Sequence, residues 1–367
     1  MYNLLKDLFS FFSLVSKKHS IIIFSESRHY SKYFRSIVLE LEKKNLNFFY
    51  VCKNDDPLIH ELSKNNVKIF HSNFFLLNIF SVVNCKYLLL STPDIGKRGL
   101  QKSKLCNKII YLFHSPVSTH MIYNEGAFDN YDIIFCIGAH QYLELKERFN
   151  TLKKNIELVQ IGYPYLDSLR VKSKEKVPSS DTILIAPSWN SENENYYEIY
   201  FSKIIQVLLD NAFKVIFRPH PEYVKRYLIN YNNFIKLFKS EKNFEVNVSE
   251  DSFDVQKNSR FLISDWSGIA FEYAFTFNRP VIFINSQKKV LNKNFNKFSY
   301  QPIEISARSE LGQIIQIDEI ENISQIIKNL TLNEKFHEEK INVLRDKIVY
   351  NIDSSLDKTI KYLKSKI

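Results

Sequence analysis

Glycine is scarce in this sequence, with seven residues in a chain of 367. Neither GxGxxG nor GxxxxGK(S/T) occurs. A dinucleotide fingerprint and a P-loop are therefore excluded, and any bound phosphate must be held by helix N-termini and side chains. Cysteine is also scarce: Cys52, Cys85, Cys106 and Cys136 are widely spaced and no CxxC is present. That spacing argues against a zinc site or a disulfide framework, and the simplest expectation is reduced, buried thiols in a cytoplasmic protein. No apolar run approaches the ~20 residues needed to span a bilayer. The net charge is +10, yet the lysines and arginines are spread along the chain without a dense basic block. No recognisable nucleic-acid module appears, so the charge suits an anionic small substrate or an anionic membrane better than nucleic acid.

What is present is globular in composition, with 45% hydrophobic and 25% charged residues. The length suits two domains. The first residues, MYNLLKDLFSFFSLVSKKHS, lack a small-residue cleavage site and so do not read as a signal peptide. They admit two readings, an interfacial helix dipping into a membrane or a first helix packed on the protein.

Short apolar runs then alternate with helical patterns. Strands are expected at 20–25, 47–52, 86–91, 108–113, 132–137 and 157–161, with helices at 31–44 and 140–150 among them. The charged stretch VKSKEKVPSS at 171–180 reads as a linker. Beyond it, strands are expected at 181–186, 213–217, 260–264 and 280–284. Helices are expected at 196–211, 222–230, 268–277 and 320–330, and one long helical pattern fills 333–365. Strands that are apolar throughout are those buried on both faces of a parallel sheet. The alternation predicts an α/β protein with two doubly wound, Rossmann-like domains facing a cleft. The expected division is 1–172, 180–335 and a C-terminal helix, 336–367, packing back across the domains.

Five short motifs fall at the ends of these strands. In Phe217-Arg218-Pro219-His220-Pro221, two prolines hold the backbone extended around an imidazole next to a guanidinium. Such a pair can bind a diphosphate and stabilise charge as a bond to phosphorus breaks; alternatively, Pro221 simply opens a helix. Asp265-Trp266-Ser267-Gly268 stands where a strand runs into a helix carrying Glu272. The free N–H groups and dipole there suit an anion, and Glu272 a ribose; alternatively, Ser267 or Asp265 caps the helix. His114-Ser115-Pro116 places a histidine at a strand's carboxyl end as a candidate general base, with His29, His71, His120 and His140 in less favourable settings. Ala186-Pro187-Ser188-Trp189, and Gly162-Tyr163-Pro164 followed by Asp167, complete the set.

In this order the five motifs resemble the CDP-glycerol glycerophosphotransferase family, which includes teichoic-acid primases and polymerases. The resemblance covers about residues 105–285. HSPVST stands where the family has HGTPLK, Tyr165 and Asn190 stand in place of arginines, and Gly268 stands in place of a second serine. The resemblance implies a GT-B-like fold and metal-independent chemistry, with no cofactor beyond a CDP-linked donor as substrate. It implies transfer of a glycerophosphate, or a related alditol phosphate, to a hydroxyl of a polysaccharide or lipid-linked, teichoic-acid-like acceptor, with release of CMP. It assigns His114 and His220 as catalytic. Arg218, Ser188, Trp189, Asp265, Ser267, Gly268 and Glu272 would bind the donor. The location implied is the cytoplasmic face of the cell membrane, with peripheral contact to anionic lipid. A GT-B glycosyltransferase using a nucleotide sugar in capsule or lipopolysaccharide synthesis is the alternative.

Overall fold

The computed structural model describes residues 8, 11–62, 67–72, 79–97, 100–174, 181–190 and 192–366. The chain divides into two compact units. Unit 1 comprises residues 1–168, 291–300 and 348–367, and unit 2 comprises 169–290 and 301–347. The chain therefore returns to unit 1 twice after leaving it. The break expected at 172–180 lies instead at Ser168, inside the helix Pro164–Ser173. Most of the expected linker, 175–180, lies outside the described residues.

Unit 1 holds seven strands: β1 His19–Phe24, β2 Phe48–Cys52, β3 Val67–His71, β4 Cys85–Leu90, β5 Cys106–Leu112, β6 Ile133–Cys136 and β7 Glu157–Gln160. Their order is β3-β2-β1-β4-β5-β6-β7, and every pairing is parallel. Unit 2 holds β8 Thr182–Ile185, β9 Lys214–Phe217, β10 Phe244–Val246, β11 Phe261–Ser264, β12 Val281–Ile284 and β13 Gly312–Ile315. Their order is β10-β9-β8-β11-β12-β13, again parallel throughout. Both sheets thus reverse direction once, between β1 and β4 in unit 1 and between β8 and β11 in unit 2. Such a reversal opens a crevice at the strands' carboxyl ends.

Each sheet is buried on both faces, which is why the central strands read as unbroken apolar runs. Helix Arg28–Lys43 lays Phe34, Ile37, Val38 and Leu41 on the first sheet. Helix Tyr196–Asp210 lays Tyr197, Phe201, Ile204 and Leu208 on the second. Three strands escaped the sequence pattern, β3, β10 and β13. All sit at sheet edges and are three to five residues long, and most of their positions are half-buried or exposed. The helix expected over 222–230 is two helices, Pro221–Arg226 and Leu228–Lys236, broken at Tyr227.

The pattern expected as one helix over 333–365 is also two, Glu334–Ile348 and Ser355–Lys364. Asn351 and Asp353 between them take left-handed backbone, with φ of 51° and 59°. The first of these helices belongs mostly to unit 2 and the second to unit 1, where Ile360 and Leu363 join the core beneath helix Arg28–Lys43. Of the N-terminal apolar segment, residues 1–7, 9 and 10 lie outside the described residues. In the described part Leu14 is buried, Phe11 meets the ring of Phe70 at 6.2 Å, and Phe12 is exposed. All four cysteines are free and buried. Among the described residues no helix is long and apolar enough to cross a membrane.

Candidate active site

Unit 2 brings three of the five motifs to the carboxyl ends of its strands. The loop Ala186–Trp189 follows β8, and the loop Asp265–Gly268 follows β11. These are the two strands that flank the reversal, so both loops line the crevice that the topology creates. Arg218–Pro221 follows the neighbouring strand β9.

Asp265 is 2% exposed and fully engaged. Its carboxylate accepts from the Ser188 backbone N–H at 2.7 Å and the Ser188 hydroxyl at 2.9 Å. It also accepts from the Tyr196 hydroxyl at 2.6 Å. Tyr196 shares a second hydrogen bond, of 2.6 Å, with Ser286 in the loop after β12. Burial and the Asp265 charge together push the Tyr196 phenol well above its ordinary pKa. This buried hub ties together the ends of β8, β11 and β12. Asp265 and Ser188 satisfy each other, and their hydrogen bonds join the β11 loop to the β8 loop. Trp266 joins them by donating its indole N–H to Ser286 O at 3.1 Å. Above its ring, at 4.1 Å, lies the buried guanidinium of Arg308. Desolvation pulls the Arg308 pKa down to about 10 against the attraction of Asp265.

Helix Ile269–Phe277 starts at Gly268, and no side chain caps it. The cap reading of Ser267 and Asp265 is therefore set aside. Ser267 and Gly268 are half-buried at the helix's positive end. Glu272 follows in the first turn and is 5% exposed.

His220 is held tightly. Its backbone N–H donates to the Tyr197 hydroxyl at 2.7 Å. Its Nδ1 accepts the Glu222 backbone N–H at 3.2 Å, capping helix Pro221–Arg226. Nδ1 is thus the bare nitrogen of the neutral ring, and Nε2 carries the proton. Capping a helix and presenting a donor are here one arrangement, so the two readings of the FRPHP motif do not compete. Trp189, half-buried against the unit 2 core, stands 6.1 Å from the imidazole. Arg218 precedes this imidazole by two residues and reaches the loop after β10. Its guanidinium donates to Asn247 and, at 3.4 Å, to Glu250 O, both in the loop after β10.

In unit 1, His114 follows β5 and is half-buried among tyrosines. Tyr30 meets it edge-on at 5.1 Å, and Tyr33 lies at 5.7 Å. The Tyr163 hydroxyl donates to His114 O at 2.8 Å. Among the competing histidines, His120 is 1% exposed in its side chain and faces Glu144 at 3.2 Å. Desolvation lowers the pKa of the His140 imidazole. Asp167 accepts from the backbone N–H groups of Asp353 at 2.9 Å and Ser355 at 2.8 Å. The GYP motif with its aspartate therefore holds the C-terminal segment. Sequence reasoning missed Tyr196, Ser286, Arg308 and Lys289 at the unit 2 site. They lie outside any short motif and reach it only through the fold.

Two parallel sheets with the same strand order and one reversal each define the GT-B class of α/β fold. The solved wall teichoic acid polymerase TagF is 17% identical, with 99% of this chain and 93% of that chain covered and a TM-score of 0.60. A histidine variant of TagF soaked with CDPG gives 16% identity, 94% and 88% coverage and a TM-score of 0.63. The UDP-GlcNAc 2-epimerase of Methanocaldococcus jannaschii, in complex with UDP-GlcNAc and UDP, is 13% identical over 95% of this chain and 100% of that one, at a TM-score of 0.58. At these identities the likeness is one of fold. A comparison with curated protein sequences returned no match. The sequence profile described as CDP-Glycerol:Poly(glycerophosphate) glycerophosphotransferase matches residues 8–356. The chain belongs to that family and is a transferase of the glycerophosphotransferase type.

Proposed function

We propose that the enzyme transfers a glycerophosphate, or a closely related alditol phosphate, from a CDP-linked donor to a hydroxyl of a teichoic-acid-like or other surface polysaccharide acceptor, and releases CMP. The observation that carries this reading is the arrangement of His220. Capping occupies Nδ1 as an acceptor, so that Nε2 carries the ring proton, with Trp189 beside the imidazole at the end of β9. A donor N–H held in that way stabilises charge on a phosphoryl oxygen without reorganising during the reaction.

In the proposed step the acceptor oxygen attacks the phosphorus that bears the glycerol. The bond from that phosphorus to the bridging oxygen breaks, and CMP leaves with the electron pair. His114 takes the acceptor proton. Ser267 and Gly268 support the diphosphate through the positive end of their helix, and Glu272 accepts from the ribose. Arg218 fixes the loop after β10 and adds positive charge to the donor side. Asp265 and Ser188 act by positioning. The net charge of +10 suits an anionic, lipid-linked acceptor at a membrane face.

The test is a donor panel of CDP-glycerol, CDP-ribitol and nucleotide sugars, scored by the nucleotide released. CMP release from a CDP-alditol is expected. His114→Ala should lower turnover by about 10²–10⁴-fold, as for loss of a general base. His220→Ala should lower it by about 10²–10³-fold, as for loss of a charge-stabilising donor. Turnover with a nucleotide sugar and none with CDP-alditols would decide for a glycosyltransferase. Full activity in both variants would remove the assigned roles.

A further inference from the structure

Lys289 lies in the loop that leaves β12 in unit 2. The loop is pinned at Ser286, which bonds Tyr196 through its hydroxyl and Trp266 through its carbonyl. The lysine is thereby fixed to the same hub that sets the β8 and β11 loops. Its ammonium lies 5.7 Å from the centre of the Trp189 ring. The same indole has the Arg226 guanidinium at 4.9 Å and the His220 ring at 6.1 Å. Three basic side chains thus converge on one aromatic.

Their charges are not equally balanced. Arg226 is paired with Glu222 at 3.2 Å, and Lys225 lies 3.7 Å from the same carboxylate. Among the described residues Lys289 forms no ion pair. Asp265, Glu304 and Glu222 attract it from a distance. The oxygens of Asp265 are already occupied by Ser188 and Tyr196, and Glu222 is occupied by Arg226. Lysine normally keeps its ammonium in water. Here the neighbouring Lys288 is exposed while Lys289 is half-buried. Loss of water pulls the Lys289 pKa below the ordinary lysine value. A cation kept partly desolvated without a carboxylate in contact is costly, and an incoming anion removes that cost.

We infer that Lys289 is a phosphate ligand of unit 2, its ammonium and the Nε2–H of His220 together binding the diphosphate of a nucleotide, with Trp189 as the apolar wall between them. This rests on the donor reading given above, and the experiment separates the two. CDP, UDP, GDP and uncharged cytidine are titrated by calorimetry into the full chain and into Lys289→Met and Lys289→Arg. Lys289→Met should weaken CDP at least tenfold and leave cytidine within about twofold, because only the phosphate contact is lost. Lys289→Arg should recover most of the CDP affinity. Lys289→Met should also melt at or above the wild-type temperature, since an apolar side chain replaces a desolvated charge. With the wild type, CDP affinity should fall on raising the pH at a lower pH than an ordinary lysine would give. Lys289→Arg should show no such fall.

If the wild type binds UDP or GDP but not CDP, the donor identity fails, and the lysine is judged on the nucleotide that does bind. If the wild type binds no nucleoside diphosphate, both readings fail. Undiminished CDP binding by Lys289→Met overturns the inference. A lower melting temperature, with cytidine and CDP weakened alike, overturns it too by making the ammonium structural.

Discussion

At the scale of single residues, the unit 2 site turns on Asp265. A carboxylate that is 2% exposed and holds the backbone and hydroxyl of Ser188 and the phenol of Tyr196 is an organiser of the crevice. Asp265→Asn replaces one accepting oxygen with an N–H₂ that faces donors. The change should destabilise unit 2 by about 1–3 kcal/mol, the cost of leaving buried polar groups unsatisfied. It should also weaken nucleotide binding at least tenfold through misplacement of the loops. Tyr196→Phe removes the bonds to Asp265 and Ser286 and should cost about 1–2 kcal/mol, with a smaller effect on binding. Thermal denaturation alongside nucleotide titration distinguishes these outcomes, and wild-type stability in Asp265→Asn would rule out the hub. Asp265 itself was legible in the sequence because it follows an apolar strand and precedes a glycine. Its role was not legible. Ser188, Tyr196 and Ser286 lie 77, 69 and 21 residues away, as their separations and positions give, and only the strand order brings them to one point. His220 shows the converse case. Its prolines announced a rigid mount, and the capping bond then supplied what composition cannot, the tautomer.

At the scale of elements, the central strands were legible because burial on both faces forces apolar runs. Three of the four edge strands, β3, β10 and β13, were not, because one side of each lacks a neighbour and the pattern dissolves; the fourth, β7, was. The C-terminal region is the clearest case of an element placed by a motif that sequence reasoning read otherwise. Gly162 has φ of 95°, and a Cβ there would lie 2.1 Å from Tyr350 O. Asp167 accepts the N–H groups that open helix Ser355–Lys364, and the Ser355 hydroxyl as well. Together they seat the returning segment on unit 1, where Gly138 also bridges Val349. Gly162→Ala should therefore be strained by about 1–2 kcal/mol from its backbone alone, with the contact adding to that. Asp167→Ala should cost about 1–3 kcal/mol by stranding buried donors. In both variants urea midpoints should fall, and limited proteolysis should open first within residues 349–355. Cleavage elsewhere, with 349–355 still protected, would show that the motif does not hold this segment.

At the scale of the whole molecule, the chain leaves unit 1 and returns to it twice, so neither unit is a single continuous stretch. The division of labour proposed for the two units nonetheless has a direct consequence. The residues proposed to bind the donor, His220, Trp189, Ser267, Gly268 and Lys289, all belong to unit 2, whereas His114 belongs to unit 1. A nucleotide without an acceptor should then order only the loops of unit 2. Hydrogen exchange with saturating CDP should slow at 186–190, 218–224, 266–272 and 286–290, where backbone N–H groups border the proposed phosphates. It should leave 114–123 near the ligand-free rate. Binding at 100 times Kd would also raise the free energy of unfolding by about 2.7 kcal/mol through mass action, which slows global exchange everywhere. The informative amides are therefore those that exchange by local opening, and loops of this kind lie at the low-stability end of the molecule. Protection concentrated at 114–123, with the unit 2 loops unchanged, would place the nucleotide in the wrong unit and overturn the assignment of donor and acceptor sides together.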